Sequence, residues 1–252
     1  MSKEKVEVKE KVEKIEEKHF SGEIKRETLL EYLRNIKPFI DELKIIINKN
    51  GLSIKQTDKA MVCLIDLQLA PDWFYTFDLK GKEIKICVNS EFLTDVIKKA
   101  HKGDFIKLEY HKTKDNEEFW IKYDNTEWKI PLLEFTEEEL PNVDELKPTT
   151  TFEVHSEILK KAIEYGLLVG ECLTIECNSN VVAKTEGDVA KVITDLETTY
   201  DGKEARAKYP LDYLRKLKFK STYIKISFGT DYPMILQDDD FKFILAPRVY
   251  DE

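Results

Sequence analysis

The sequence predicts an α+β protein made of two tandem copies of one unit, each with two helices covering one face of an antiparallel sheet. Three observations carry that expectation. Residues 43–69 and 172–196 repeat one plan of short alternating strands broken by turn residues. A helical stretch precedes each of these blocks, and another follows it. Between the halves lies TEEELPNVDELKPTT (136–150), acidic and carrying Pro141 and Pro148, which reads as an extended connector.

The elements follow in order. MSKEKVEVKEKVEKIEEK (1–18) alternates acids and bases and reads as a charged extension, a disordered arm or frayed helix. It lacks the apolar block of a secretory signal. RETLLEYLRNIKPFIDE (26–42) sets Leu29, Leu33, Ile36 and Ile40 at helical spacing, with Thr28 near the start and Pro38 kinking or ending the helix early. LKIIINKNGLSIKQTDKAMVCLIDLQL (43–69) gives three strands, the first two joined at Asn50-Gly51, a tight hairpin signal. NSEFLTDVIKKAHKG (89–103) is the second helix, and FIKLEYH, EEFWIKYD and TEWKIPLLEF close the first half as strands.

The second half repeats this plan. HSEILKKAIEYGLL (155–168) puts Ile158, Leu159, Ala162 and Ile163 on one face, with Ser156 as cap and Gly166 near the stop. CLTIECNSNVVAKTEGDVAKVITDL (172–196) follows the earlier strand block, matching Thr185-Glu186 to Thr57-Asp58. YPLDYLRKLKFK (209–220) is the fourth helical segment, and TYIKISFG, PMILQ and FKFILAP are the closing strands. The expected organisation is an extension at 1–18, a domain at 19–135, the connector at 136–150 and a second domain at 151–252. Ring-forming edges are expected within 119–133 and 181–195, whose mixed Lys/Glu and aliphatic composition permits pairing with itself or with a different subunit.

A 42% hydrophobic share is enough for a real core, and 35% charged residues with net charge −9 make an acidic surface. No apolar run approaches the 18 or so residues of a membrane span, so a cytoplasmic protein is expected. Cys63, Cys87, Cys172 and Cys177 fit that compartment as thiols, and the spacing of the last two puts them on opposite faces of one strand. Catalytic chemistry finds no home. His19, His101, His111 and His155 are scattered, no Cys/His set has zinc spacing, and no Gly-rich phosphate loop exists. The acidic turns at 137–139 and 238–240 read as charged turns before they read as Mg²⁺ sites. A non-enzyme without metal or cofactor is expected.

Charge is distributed unevenly. Segment 209–220 sets Arg215, Lys216, Lys218 and Lys220 against Asp212 alone. Segment 89–103 is also net positive, 155–166 is balanced and 27–41 is slightly acidic. The helical segments together are therefore cationic while the rest of the chain is strongly acidic.

NGLSIKQTDKAMVCLIDLQLAPDWF (50–74), LLEFTEEELPNVDEL, KISFGTDYPMIL (225–236) and FILAPRVYDE (243–252) resemble, in order and spacing, the proliferating cell nuclear antigen family of archaeal and eukaryotic sliding clamps, most closely its archaeal members. The likeness runs from about His19 to the end. It implies a DNA-clamp fold and a trimeric ring, of this chain or of sister subunits, with helices lining a hole threaded by double-stranded DNA. It implies sequence-independent DNA contact, an ATP-driven clamp loader, and docking of DNA polymerase, flap endonuclease and DNA ligase through short motifs in replication and repair. The protein would then be a processivity factor, cytoplasmic and nucleoid-associated if archaeal. The runner-up is a clamp paralogue serving as an interaction subunit of a heteromeric ring, and a metal-dependent nuclease stands further behind.

On that resemblance the DNA-facing candidates are Arg34, Lys37, Lys98, Lys99, Lys102, Lys161, Arg215, Lys216 and Lys218. Few, sequence-blind phosphate contacts suit a ring that must travel. The docking groove carried over from the family falls on Met61, Val62, Leu64, Leu140, Pro141, Val143, Pro233, Ile244, Ala246 and Pro247. A shallow apolar groove of this kind accepts a helical turn with aromatic anchors. Thr57 stands where relatives often carry a larger apolar residue, which implies a shallower groove or a shifted partner preference.

Overall fold

Alternation of apolar and polar residues makes each strand one-sided, so every sheet needs a cover. Leu43, Ile45 and Ile47 show the pattern, buried at every second position. A computed structural model describes residues 17–113 and 116–248. The first half runs β1 (Glu17–Lys25), α1 (Arg26–Ile36), β2 (Glu42–Asn48), β3 (Gly51–Thr57), β4 (Cys63–Leu69), β5 (Phe74–Leu79), β6 (Glu83–Asn89), α2 (Ser90–Lys99), β7 (Phe105–Lys112), β8 (Glu117–Tyr123) and β9 (Thr126–Pro131). The second runs β10 (Thr150–His155), α3 (Ser156–Leu167), β11 (Cys172–Cys177), β12 (Val181–Glu186), β13 (Lys191–Asp195), β14 (Tyr200–Gly202), β15 (Ala205–Pro210), α4 (Leu211–Leu214), β16 (Tyr223–Phe228), β17 (Met234–Asp238) and β18 (Phe241–Leu245).

The halves match strand for strand. β5-β1-β7-β8-β9 has the order of β14-β10-β16-β17-β18, and β6-β2-β3-β4 has that of β15-β11-β12-β13. All pairings are antiparallel, and β4 pairs with β18, fusing the inner portions into one nine-stranded sheet. Among the described residues β9 and β13, the counterparts of β18 and β4, end their sheets without the partner that those two strands have. They lie inside the two ranges expected from sequence.

The register corrects one detail of the repeat. Leu52, Ile54 and Gln56 are buried in β3, as Val181, Ala183 and Thr185 are in β12. Thr185 therefore corresponds to Gln56, not Thr57, because a one-residue slip would turn the whole strand inside out.

The helices also differ from expectation in places. Pro38 does end α1 early, but the helix starts at Arg26, whose amide bonds Asp104 O at 2.9 Å, and has no side-chain cap. His155, not Ser156, caps α3, its Nδ1 accepting from the Glu157 amide at 3.3 Å. Segment 209–220 is not one helix: Pro210 belongs to β15 and α4 spans only Leu211–Leu214. Buried Leu211, Leu214 and Leu217 recur every three residues, a spacing that suits tight i→i+3 turns, and Lys216 and Leu217 make such bonds. Beyond them, side chains capture the backbone instead. Asn35 accepts from the Lys218 amide (2.6 Å) and donates to its carbonyl (2.9 Å), while Asp238 takes the Lys220 and Ser221 amides at 2.6 and 3.0 Å. At the other end, Glu17 and Lys18 pair with Lys112 and His111 as part of β1, and residues 1–16 lie outside the described residues.

Candidate nucleic-acid interface and docking surface

The four helical segments form one row on one side of the sheets. α1 lies beside α2, with Arg26 donating to Lys98 O at 3.0 Å. The Asn35–Lys218 exchange ties α1 to the segment after α4, and α4 packs on α3. The order across the row is thus α2, α1, α4, α3. Each helix turns its apolar side to the sheets, as Leu29, Leu33 and Ile36 do in α1 and Leu93, Val96 and Ile97 in α2.

The predicted cations fall on this row with unequal availability. Arg34, Lys98, Lys99, Lys102 and Lys218 are exposed. Lys161 is exposed and lies over the Tyr165 ring at 5.5 Å. Lys37 is held between Glu91 (3.3 Å) and Asp95 (3.7 Å), and Arg215 pairs with Asp212 at 3.1 Å. Lys216 is half-buried over the Phe39 and Tyr213 rings at 5.1 and 5.3 Å. Lys220, expected in the turn after the helix, turns toward Asp239 (3.3 Å) and the Trp73 ring (4.6 Å). The charge open to a polyanion is therefore concentrated on α2 and just beyond it, at Arg34, at Lys161 and at Lys218.

The groove residues fall into two places. Leu64 and Ile244 are direct partners across β4 and β18, and the Ala246 amide donates to Val62 O at 2.9 Å. Pro233 precedes the Met234–Leu245 pair and so stands beside this strip. Leu64 and Ile244 are buried yet stand outside the main core cluster, which marks an apolar strip on the outer face. Met61 and Pro141 are exposed, while Val62, Val143, Ala246 and Pro247 are half-buried. Leu140 lies apart, in a shallow recess of about 180 Å³ with Ile46, Lys85 and Phe135. The connector is pinned there by Lys44–Glu138 (2.5 Å) and Lys85–Glu137 (2.6 Å), and by the Lys147 amide on the Tyr232 hydroxyl (3.2 Å). The Lys85 ammonium holds the Glu137 carboxyl below the usual range.

Sequence reading missed the residue that organises the groove's entrance. Asp58, 8% exposed, accepts from the Val62 and Cys63 amides, both at 2.8 Å, and from the Tyr213 hydroxyl at 2.8 Å. It fixes the loop in which Met61, 74% exposed, holds a left-handed φ of 53°. Burial, reinforced by the bond to Asp58, pushes the Tyr213 hydroxyl up to about 12. Burial followed by the Asp58 charge pushes the Cys63 thiol well up as well, so the thiol stays protonated. An Asp58→Ala variant strands two buried amides and a hydroxyl and is expected to lose about 2–4 kcal/mol of stability. Urea unfolding checks it; a loss under about 0.5 kcal/mol would show that the loop holds itself.

The comparisons agree with this geometry. Residues 20–137 match the family described as "Proliferating cell nuclear antigen, N-terminal domain". A protein named DNA polymerase sliding clamp from Thermococcus onnurineus is 28% identical over 232 residues, covering 84% of this chain and 91% of that one. A namesake from Natronomonas pharaonis is 22% identical over 247 residues, covering 91% and 98%. Among solved structures, A. fulgidus PCNA bound to the C-terminal region of FEN-1 has a TM-score of 0.81 at 23% identity, covering 92% of this chain and all of that one. The PCNA2–PCNA3 complex of Sulfolobus tokodaii gives 0.80 at 22%, covering 90% and 99%. Residues 20–137 thus match the family's N-terminal domain, and the chain as a whole shares the fold of these structures.

Proposed function

We propose that the chain is a DNA sliding clamp that encircles duplex DNA as a ring of three subunits and tethers replication and repair enzymes. One observation carries this: the β4–β18 junction joins two matching units inside the chain, and β9 and β13 are the same two edges left open. Repeating that junction from chain to chain pairs these two edges and generates a closed ring. Six units come from three chains, the number the family resemblance implies.

In such a ring the row α2, α1, α4, α3 supports an inner lining, and Arg34, Lys98, Lys99, Lys102, Lys161 and Lys218 meet phosphates. Lys37, Arg215 and Lys216, each already engaged, contribute less. Phosphate attraction without base contacts leaves the ring free to travel. The strip at Val62, Leu64, Ile244 and Ala246, with Met61 at its edge and Leu140, Pro141 and Val143 of the connector, accepts apolar docking motifs of polymerase, flap endonuclease and ligase. The FEN-1 segment on the A. fulgidus protein supports that use. The chain carries no chemistry of its own, and among the described residues no helix is long and apolar enough to cross a membrane. It acts in the cytoplasm, at the nucleoid.

The test is topological. With an ATP-driven loader, the purified protein is expected to co-elute with nicked circular duplex and to be released when the circle is cut. Light scattering is expected to give three times the chain's 29.5 kDa. Retention that survives linearisation would show binding without encirclement and end the proposal.

A further inference from the structure

Two kinds of sulfur are present in this chain, and the fold leaves only one of them open to an oxidant. Cys63, Cys87 and Cys177 are buried, and Cys172 is half-buried. Burial raises all four thiols above their ordinary range, Cys177 to about 12, and the Asp58 charge pushes Cys63 further up. The thiolate is the form that oxidants attack, so these side chains are shielded by depth and by protonation together. A thioether has no proton to lose, and access alone decides its fate. Among the described residues the methionines are Met234, 0% exposed, and Met61, 74% exposed.

Met61 is also fixed in position. Its amide donates to Asp58 O at 3.0 Å, the Asp58 amide donates to Cys63 O at 3.1 Å, and the Val62 and Cys63 amides end on the Asp58 carboxylate. From this closed loop the side chain lines a depression of about 390 Å³, together with Phe39, Ile40, Thr57 and Glu138. The depression is the mouth of the groove whose floor is the Leu64–Ile244 strip. A flexible thioether suits a surface shared by several motifs, because it adapts its shape to each. The same atom is the groove's weak point. One added oxygen makes it polar, and an apolar motif then has to strip water from it.

We propose that Met61 is a modification site, at which oxidation by a peroxide to the sulfoxide switches docking off. The thioether sulfur takes the outer peroxide oxygen: an S–O bond forms as the O–O bond breaks. Sulfur gives up two electrons, and the proton on the transferred oxygen passes to the departing one, which leaves as water when the oxidant is hydrogen peroxide. A thiol-driven sulfoxide reductase reverses the change, the oxygen leaving as water while two thiols become a disulfide. This rests on the groove reading and adds its regulation.

Peptide mapping of the whole protein after hydrogen peroxide treatment tests the first half. Met61 is expected to gain one oxygen well before Met234, with all four thiols still free. Fluorescence anisotropy with a labelled peptide copying the C-terminal region of A. fulgidus FEN-1 tests the second half. Conversion of Met61 is expected to weaken its binding about fivefold or more, the effect of losing one apolar contact. Sulfoxide reductases for both epimers, with dithiothreitol, should restore it. Met61→Leu, whatever its starting affinity, is expected to bind equally before and after peroxide. Thiols that react ahead of Met61 overturn the modification site. Binding unmoved by full conversion, or weakened by peroxide just as much in Met61→Leu, overturns the switch and leaves the groove intact. A peptide that ignores the untreated protein overturns the groove reading and the switch with it, whatever the mapping shows.

Discussion

Glu109→Ala is expected to destabilise the fold by about 3–5 kcal/mol, the loss typical of breaking a buried ionic cluster from one side. Glu109 sits on the outer face of β7, between inward Leu108 and Tyr110, and is only 3% exposed. Its carboxylate meets the Lys122 ammonium at 2.9 Å, His111 Nε2 at 3.1 Å, Lys18 at 3.3 Å and Lys107 at 3.5 Å. Trp120 roofs the cluster, stacked on His111 at 3.8 Å and flanked by the Lys122 and Lys129 ammonium groups. Alanine would leave Lys18, Lys107 and Lys122 crowded, with only Glu127, 2.8 Å from Lys122, to answer them.

The same cluster makes the effect depend on pH. Burial by itself would raise the Glu109 pKa, but the hydrogen bonds from Lys122, His111 and Lys18 outweigh it and hold the group at about 2, against an ordinary 4.5. Because the folded value is the lower one, the stabilisation is complete above pH about 5 and drains away as pH falls toward 2. Urea midpoints of wild type and Glu109→Ala should differ widely at pH 7 and converge near pH 2–3. A constant difference across that range would mean that the carboxylate's charge contributes nothing.

Reversing Lys98, Lys102, Arg215 and Lys218 together to Glu is expected to abolish most DNA retention while leaving the fold intact. All four side chains are exposed, so each change should move stability by no more than about 0.5 kcal/mol. Their effect on a polyanion is much larger. If each serves about one phosphate, the slope of log affinity against log salt should fall by about 3–4, and binding at moderate salt by tenfold or more. Primer extension with a loader and salt titration of loaded clamp check this. Unchanged processivity with an unchanged salt slope would remove the inner-lining assignment for these residues.

Much of this was legible in the chain because one pattern is written twice. Alternation in LKIIIN and CLTIEC, the Asn50-Gly51 turn and the early stop at Pro38 are local signals, and the strands form where they point. What escaped was set by residues far apart in sequence. Four basic side chains in 209–220 look like a helix, but the Leu211, Leu214, Leu217 spacing and capture by Asn35 and Asp238 unwind it, and Lys216 and Lys220 turn onto aromatic rings. Nothing local marks Asp58, because its hydroxyl partner Tyr213 comes from the other half. Glu109 reads as a polar position on an alternating strand, and only the neighbouring strands bring its cations together. Leu140 and Val143 are apolar residues in an acidic connector, but nothing local says that Glu137 and Glu138 moor that connector to Lys85 and Lys44.

The sheet that runs unbroken through β4 and β18 has a thermal consequence. A chain of two such units joined only by a tether would melt like beads, each at its own temperature. Here backbone bonds, the Asn35 clasp and the Tyr213–Asp58 contact cross the seam, so neither half can let go without exposing the other's edge and core. The molecule should lose its structure in a single event, and the linking segment outside could be severed without the two pieces drifting apart.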